Sequence, residues 1–257
     1  MSAPRFYCPI PLPEHTRIAL PDAVSHHALR VLRLKEGSPL VLFNGQGGQI
    51  AGELDVEGKR GFARLGAHDP REAESAGNIT LVQGLASGDK MDWIIEKAVE
   101  LGARRLVPIA ARRSVLQLQG DRLQKRMTHW QRIIESASEQ CGRNRLMQLD
   151  APVKLADFLA AEATHTAVNA QDRTRLTLLC HPGAPYSLTD ALKAAGLIEK
   201  PGNVTLLVGP EGGWSDEELA AAQAHALTPV AFGSRVLRTE TAGSALIAAI
   251  SALCGWL

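Results

Sequence analysis

A stretch near the C-terminus, FGSRVLRTETAGSALIAAI, places charged and hydroxyl side chains between two apolar segments. Thr239 or Thr241 can cap the helix that follows, which would account for the threonines alone. Capping does not require Arg235, Arg238 and Glu240, and burying such charges without partners would cost several kcal/mol. We therefore expect these three side chains to face a ligand, a subunit interface or both.

A second stretch, VTLLVGPEGGWSDEE, carries a hydrophobic strand into a turn that is poor in side chains at residues 209–213. Glycines there let a ligand approach the backbone, whose amides can donate hydrogen bonds. Ser215 and Glu218 have the spacing of a capping box, so a helix should follow at once. Glu211 would repel a phosphate, and no GxxxxGK[ST] or strand-linked GxGxxG is present, which disfavours ATP hydrolysis and dinucleotide binding.

Both stretches belong to a region of alternating strand-like and helix-like runs that begins at residue 79. Such alternation predicts an α/β fold with a parallel sheet covered by helices, and ligands bind beyond the carboxyl ends of such strands. The predicted strands are residues 79–85, 105–110, 177–180, 204–209 and 228–233. The predicted helices cover about 89–101, 121–140, 187–195, 215–227 and 241–256.

The preceding part of the chain has short β-like runs broken by turn residues. The sequence NGQGG at residues 44–48 predicts a hairpin, because Asn and Gly accept positive φ. Polar residues without hydrophobic periodicity at 69–78 predict a linker, which divides the chain into a small β-barrel domain, 1–72, and an α/β domain, 73–257. The helix-like run there is SHHALRVLRLKEG, with inward positions predicted at Leu29, Val31 and Leu32.

Composition limits the class of protein. The chain has 257 residues, of which 45% are hydrophobic, enough for a substantial core. Four scattered cysteines without a CxxC pair indicate neither a disulfide framework nor a zinc site, so we expect a cytoplasmic protein without a metal. The N-terminus lacks the pattern of a secretory signal, and the longest apolar run is too short to cross a bilayer.

The charges are unevenly distributed along the chain. Between residues 104 and 145 ten Arg and Lys face three Asp and Glu. Such clustering is typical of proteins that bind a polyanion such as RNA, although a solvated helix face would explain any one of these residues.

Taken together, LLVGPEGGWSDEE and FGSRVLRTETAGSALIAAI resemble the SPOUT methyltransferases, and within them the bacterial ribosomal RNA small-subunit methyltransferase E (RsmE) family. Further segments that agree are APRFYC, HHALRVLRLKEG, LFNGQGG, KMDWIIEKAVELGARRLVPI and ASEQCGRNRL. The resemblance extends over nearly the whole chain. One departure is Phe232, where an aliphatic residue is usual.

This resemblance implies an N-terminal PUA-like barrel, a C-terminal α/β domain with a deep trefoil knot, and a homodimer. It implies S-adenosylmethionine as methyl donor and N3 of one uridine in small-subunit (16S) ribosomal RNA as acceptor. The expected substrate is the assembled small subunit. Residues of the two C-terminal loops would bind the cofactor, largely through main-chain groups. They are Leu207, Gly209, Pro210, Gly212, Gly213, Leu237, Arg238, Thr239 and Thr241.

The implied chemistry suggests roles for the charged residues. N3 of uracil must lose a proton, and an arginine could stabilise the charge that spreads onto the flanking carbonyl oxygens. Our hypothesis assigns this role to Arg238, with Glu211 or Glu240 orienting it or assisting proton removal; each could equally close a salt bridge at a dimer interface. The residues predicted to bind RNA are Arg5, His27, Arg30, Arg33, Arg112, Arg113 and Arg143.

Two other functions stay open at this point. Related knotted enzymes methylate ribose 2′-oxygens or guanine N1 of transfer RNA, so the acceptor atom could differ. The chain could also be a non-catalytic RNA-binding or ribosome-assembly factor. The methylated atom distinguishes the first alternative, and cofactor binding distinguishes the second.

Overall fold

The computed structural model describes residues 3–168 and 174–257. The chain forms two compact units. One comprises the chain up to Glu74 together with Ile134–Leu146, and the other comprises Ser75–Ile133 and Met147–Leu257. The backbone therefore passes between the units three times. The domain boundary at residues 72 and 73 stays a prediction from the sequence.

The N-terminal unit contains a five-stranded sheet with the order β1-β3-β4-β5-β2. Strands β3 and β4 pair in antiparallel register on either side of the NGQGG turn, which confirms the predicted hairpin. Gly45, Gly47 and Gly48 all have positive φ, as that turn requires. The strands are β1 (Arg5–Tyr7), β2 (Arg17–Ala19), β3 (Pro39–Phe43), β4 (Gln49–Glu57) and β5 (Arg60–Asp69).

The helix-like run of this unit is shorter than predicted. Helix α1 (Asp22–His26) continues into a single π-helical turn (His27–Val31), and Arg33 then takes a positive φ of 54°. Because the helix ends there, Val31 and Leu32 are exposed to 59% and 43%. The prediction that these two side chains point inward is therefore wrong, whereas Leu29 does pack against the core.

Residues 134–146 are attached to the N-terminal unit by polar contacts. Glu139 Oε1 accepts a hydrogen bond from the backbone N–H of Tyr7 at 2.8 Å, and Asn144 Oδ1 accepts one from Arg5 Nη2 at 2.6 Å. Arg143 forms a bidentate ion pair with Glu74 of the same unit. These contacts explain why a segment so far along the chain belongs to the N-terminal unit.

The C-terminal unit is built on a seven-stranded sheet with the order β10-β12-β9-β11-β6-β7-β8. Every neighbouring pair is parallel, which confirms the predicted sheet. The strands are β6 (Asn78–Gly84), β7 (Arg105–Ile109), β8 (Gln148–Leu149), β9 (Arg175–Cys180), β10 (Tyr186–Ser187), β11 (Asn203–Val208) and β12 (Thr228–Ala231). The five predicted strands are present, and the two-residue strands β8 and β10 are additions.

Six helices accompany this sheet among the described residues. Helix α4 was not predicted, because the buried residues among its described side chains, Leu155, Phe158 and Leu159, lie in its first two turns and give no sustained periodicity. No helix in the described ranges is long and apolar enough to cross a membrane. The helices are α2 (Lys90–Glu100), α3 (Gly120–Cys141), α4 (Leu155–Val168), α5 (Leu188–Ala194), α6 (Asp216–Ala224) and α7 (Thr239–Leu253).

Two helix starts show how the sequence sets the boundaries. At α6 the capping box is complete: Ser215 Oγ accepts from Glu218 N at 3.2 Å, and Ser215 N donates to Glu218 Oε2 at 2.8 Å. At α7 the N-cap residue is Arg238, without a side-chain cap. The expectation that Thr239 or Thr241 caps α7 is therefore wrong. The trefoil knot stays a prediction, because the order of the strands does not show whether the chain is threaded through a loop.

Candidate active site

A cavity of about 640 Å³ lies at the carboxyl edge of the parallel sheet, where the sequence predicted a site. Its walls are the loops that follow β9, β11 and β12, with the first turn of α7. A larger cavity of about 1050 Å³ lies beside α5 and α6, lined mainly by Ala, Leu and Pro side chains. We place the site in the smaller one, because it contains both sequence motifs and two buried polar atoms without partners among the described residues.

The loop after β11 is compact because its glycines have no side chains. A Cβ on Gly209 would lie 3.3 Å from Trp214 Nε1, and Gly213 has a φ of 68°. Gly213 N donates to Pro210 O at 2.9 Å and closes a tight turn. Pro210 in turn packs so closely on Gly84, at the end of β6, that a Cβ there would clash at 2.5 Å. The result is a rigid wall made largely of main chain.

The Gly209 carbonyl is held by a buried hydrogen-bond network, which we call the Gly209 clamp: Gln83, Gly209 and Thr239. Thr239 Oγ1 donates to Gly209 O at 2.6 Å, and Gln83 Nε2 donates to Thr239 Oγ1 at 2.9 Å. Gln83 is fully buried. The sequence analysis missed Gln83, although a single glutamine in the otherwise apolar run ITLVQGL was a signal for it.

Glu211 is fixed to residues at and before the start of α2. Its Oε1 accepts from Ser87 N at 3.0 Å, from Ser87 Oγ at 2.6 Å and from Lys90 Nζ at 2.9 Å. Burial alone would raise the pKa of Glu211, but these hydrogen bonds outweigh it and lower the pKa to about 2. The structure thus gives no support to Glu211 as a partner of Arg238 or as a base, because it is ionised and already bound elsewhere.

Arg238 and Glu240 lie together at the cavity. Arg238 is 84% exposed, and its Nη1 lies 3.9 Å from Glu240 Oε1, a loose ion pair. Glu240 Oε2 and Trp214 Nε1 are buried, and neither has a hydrogen-bond partner among the residues that the structure describes. Because buried polar groups are nearly always hydrogen-bonded, an acceptor and a donor left open in one cavity indicate a polar ligand.

Most of the predicted cofactor-binding residues line this cavity, and two do not. Leu207 is buried in the apolar core beside Val82 and Val107, because neighbouring side chains on a strand point to opposite faces and Val208 takes the cavity side. Thr241 is exposed and outside the cavity, since it lies about 200° around α7 from Thr239. The residues that do line it are Gly209, Pro210, Gly212, Gly213, Leu237, Arg238 and Thr239.

The two predicted RNA-binding arginines of the C-terminal unit have different positions. Arg113 lines the cavity, and its Nη1 donates to Gly212 O at 3.3 Å. Arg112 has a side chain that is two-thirds exposed and pairs with Glu217 at 3.1 Å. Arg113 therefore lies at the cavity, whereas Arg112 does not line it.

Of the residues predicted to bind RNA in the N-terminal unit, some are exposed and others already contact neighbouring side chains. Arg30 and Arg33 are exposed, and His27 packs edge-on against Phe6 at 5.4 Å between ring centroids. Arg5 is half-buried, bonded to Gln49 and Asn144.

The position of Arg143 disagrees with its predicted role in RNA binding. Its side chain is 3% exposed, and its Nε and Nη2 each donate to Glu74 at 2.8 Å. The guanidinium is therefore not presented to an RNA phosphate. It holds the segment 134–146 in the N-terminal unit instead.

The chain is similar to known RNA methyltransferases in sequence and in structure. The family model described as "RNA methyltransferase domain" matches residues 73–251, and "RNA methyltransferase PUA domain" matches residues 20–63. Ribosomal RNA small subunit methyltransferase E of a Synechocystis species is 32% identical over 237 residues, 92% of this chain and 73% of that protein. The chain belongs to the ribosomal RNA small subunit methyltransferase E family.

Other members of this methyltransferase E family match this chain over most of their length. The Bacillus subtilis member is 28% identical over 88% of this chain and 86% of its own. The crystal structure of the Neisseria gonorrhoeae member, bound to S-adenosyl methionine, has a TM-score of 0.84 and 33% identity, covering 98% of both chains. Within the described residues no group of three or more His, Cys, Asp or Glu could hold a metal ion.

The Gly209 clamp gives a first prediction. In Thr239→Val the side chain keeps its shape but loses the hydroxyl, so Gly209 O and Gln83 Nε2 each lose a buried partner. We expect the free energy of unfolding to fall by about 1–3 kcal/mol in urea denaturation. The matched control is Thr241→Val, whose exposed hydroxyl should change stability by less than about 0.5 kcal/mol. Equal effects of the two substitutions would contradict the clamp.

The low pKa of Glu211 gives a second prediction. Because its folded-state pKa of about 2 lies below the ordinary value of 4.5, the carboxylate stabilises the fold above pH 4.5. This contribution is lost as the pH falls from about 4.5 towards 2. Unfolding free energies measured between pH 7 and pH 3 should show Glu211→Gln destabilised at neutral pH, with the difference from wild type shrinking below pH 4.5.

The control for this measurement is Glu199→Gln, an exposed carboxylate that precedes β11, whereas Glu211 follows that strand. It should show a small difference that does not change in this way. A pH-independent difference for Glu211→Gln would mean that the hydrogen bonds matter and the negative charge does not.

Proposed function

We propose that this protein transfers a methyl group from S-adenosylmethionine to N3 of one uridine in small-subunit ribosomal RNA, acting on the assembled small subunit. The observation that carries the proposal is the cavity at the carboxyl edge of the sheet, in which both family loops meet and Trp214 Nε1 and Glu240 Oε2 lack partners. Family membership and the ligand of the Neisseria gonorrhoeae relative support the choice of cofactor.

The residues present fit that cofactor. A cavity of about 640 Å³ is within the range that small-molecule sites usually have. Its glycine wall offers main-chain groups at close approach, and Glu240 places negative charge beside a cationic ligand. When bound, S-adenosylmethionine supplies an electrophilic methyl group on a positively charged sulfur. The residues that would hold it are those of the two loops, with Trp214 as an additional donor.

Arg238 and Glu240 can handle the proton and charge of the acceptor base. The imide N3–H of uracil must be lost for N3 to act as a nucleophile, and the negative charge then spreads onto the two flanking carbonyl oxygens. Arg238 is exposed at the cavity and can donate to such an oxygen. Of the two candidate carboxylates, Glu240 keeps an oxygen without a partner, so we assign to it the orientation of Arg238 and assistance in proton removal.

The acceptor atom lies on the Watson–Crick edge, so the target uridine must be unpaired before it can react. Holding the surrounding RNA requires positive charge at and around the mouth of the cavity. We assign this to Arg112 and Arg113 near the loops and to Arg30 and Arg33 in the PUA domain, all of which expose their side chains.

We also propose that the chain acts as a homodimer. Outside its buried face, α7 shows Ala252 and Leu253 to solvent, and Leu257 just beyond it is 94% exposed. An apolar surface on a helix that is already packed on its other side is suited to a second subunit. Sedimentation equilibrium gives the mass directly.

The proposed reaction predicts a specific product. Labelled S-adenosylmethionine is incubated with assembled small subunits that lack their base methylations, and the RNA is digested for mass spectrometry of the nucleosides. We expect N3-methyluridine. A different methylated nucleoside would contradict the acceptor, and binding of the cofactor without any transfer would favour a role in RNA binding or assembly.

Arg238 gives a further prediction. Arg238→Ala should lower kcat by about a hundredfold or more, the usual effect of removing a donor that stabilises developing negative charge. The affinity for S-adenosylmethionine, measured by calorimetry, should stay within about threefold, because only the exposed side chain is removed and the loop backbone remains. Arg238→Lys keeps the charge and should recover part of the rate. An unchanged kcat in the alanine variant would exclude this role.

A further inference from the structure

Helix α3 has two opposite faces. Leu123, Met127 and Trp130 follow the spacing of an inward face, and Trp130 is fully buried. The outward face carries four side chains separated by three, four and three residues, so they form a continuous row on the helix. We call this row the α3 basic stripe; its members are Arg122, Lys125, His129 and Arg132.

The stripe is only partly neutralised. Asp92 pairs with one member of the stripe, His129, whose Nε2 lies 2.7 Å from it. Asp92 also accepts a hydrogen bond from Trp130 Nε1 at 3.2 Å and lies 3.7 Å from Arg126. In the described part of the chain, no carboxylate comes within 4 Å of Arg122, Lys125 or Arg132. The acidic residues of α3 nearest to the stripe are Asp121, at the first turn of the helix, and Glu135, three residues after Arg132. The face therefore keeps an excess of positive charge.

Three arginines elsewhere in the protein are paired, unlike those of the stripe. Arg17, Arg105 and Arg175 each have a carboxylate within ion-pair distance. The stripe also borders a shallow depression of about 510 Å³, lined by charged and histidine side chains of α3 alone. A row of basic side chains, three of them without an ion-pair partner in the described part of the chain, beside a depression is an arrangement that a polyanion can bind.

We propose that the α3 basic stripe binds the phosphate backbone of the RNA substrate. Ten residues of helix separate its ends, about 15 Å at 1.5 Å per residue, which is enough to meet several consecutive phosphates. The identity of the RNA rests on the proposed function, whereas the location of the surface rests on the charges of α3.

The chemistry favours RNA over an acidic protein. Protein interfaces depend on a few large apolar or aromatic anchors. The large hydrophobic side chains that are exposed in the described ranges all lie outside α3. A surface with cations and no such anchors matches a sugar-phosphate backbone, which is recognised by charge and spacing.

The test compares two triple variants of the full chain with equal loss of charge. The first is Arg122→Gln with Lys125→Gln and Arg132→Gln. The control is Lys154→Gln with Lys193→Gln and Lys200→Gln, which are exposed lysines of the same unit. The probe is protein-free small-subunit ribosomal RNA, with the dissociation constant measured over a series of KCl concentrations.

We expect the stripe variant to bind this RNA at least about tenfold more weakly, and the slope of log affinity against log salt to fall by about two, as the loss of three phosphate contacts predicts. The control should stay within about twofold of wild type. Both variants should bind S-adenosylmethionine normally, since these side chains are outside the cavity. A stripe variant that matches the control in affinity and slope would overturn the proposal.

Two further outcomes separate the possible causes. If binding to protein-free RNA is unchanged but binding to assembled subunits is lost, the stripe contacts a ribosomal protein and the assignment to RNA is wrong. If wild type binds RNA but transfers no methyl group, the proposed function fails while the difference between the two variants still decides the stripe. No binding by wild type to RNA or subunits would overturn both.

Discussion

The hydroxyl group of Thr239 joins parts of the chain that are far apart in sequence. It donates to a carbonyl 30 residues earlier, at Gly209, and accepts from the amide of Gln83, 156 residues away. Through these two bonds the end of β6, the loop after β11 and the start of α7 share one buried polar centre. The cavity walls depend on it, because glycine loops without side chains have few other means of holding one conformation.

The sequence predicts the features of this protein that depend on neighbouring residues. The NGQGG hairpin, the capping box of Ser215 and Glu218, and the alternation of strands and helices all follow from local backbone preferences and periodicity. Helix α1 and the π-helical turn show the limit of such reasoning. The inward positions of Val31 and Leu32 required a helix that continued, and its end is set by the backbone at Arg33.

The cavity could be located from the sequence, but the tasks of its charged residues could not. From the sequence alone, Glu211 and Glu240 are equally good candidates for partners of Arg238. In the structure, Glu211 is bound to Ser87 and Lys90, which are 124 and 121 residues away, whereas Glu240 keeps an oxygen without a partner. Arg143 shows the same limit, since its partner Glu74 lies 69 residues earlier. The sequence shows that these charged side chains are present, whereas only the fold shows which of them already have a partner of opposite charge.

The assignment of residues 134–146 to the N-terminal unit affects how such a protein can be rearranged. The segment brings Glu139 to the backbone of Tyr7 and Asn144 to Arg5, so the small β unit is completed by residues from the middle of the chain. A fragment that stops near residue 72 would lack these partners. Exchange of this unit between related proteins would therefore require both of its segments to be replaced together, with crossovers at three junctions, and recombination at a single linker would separate groups that fold as one.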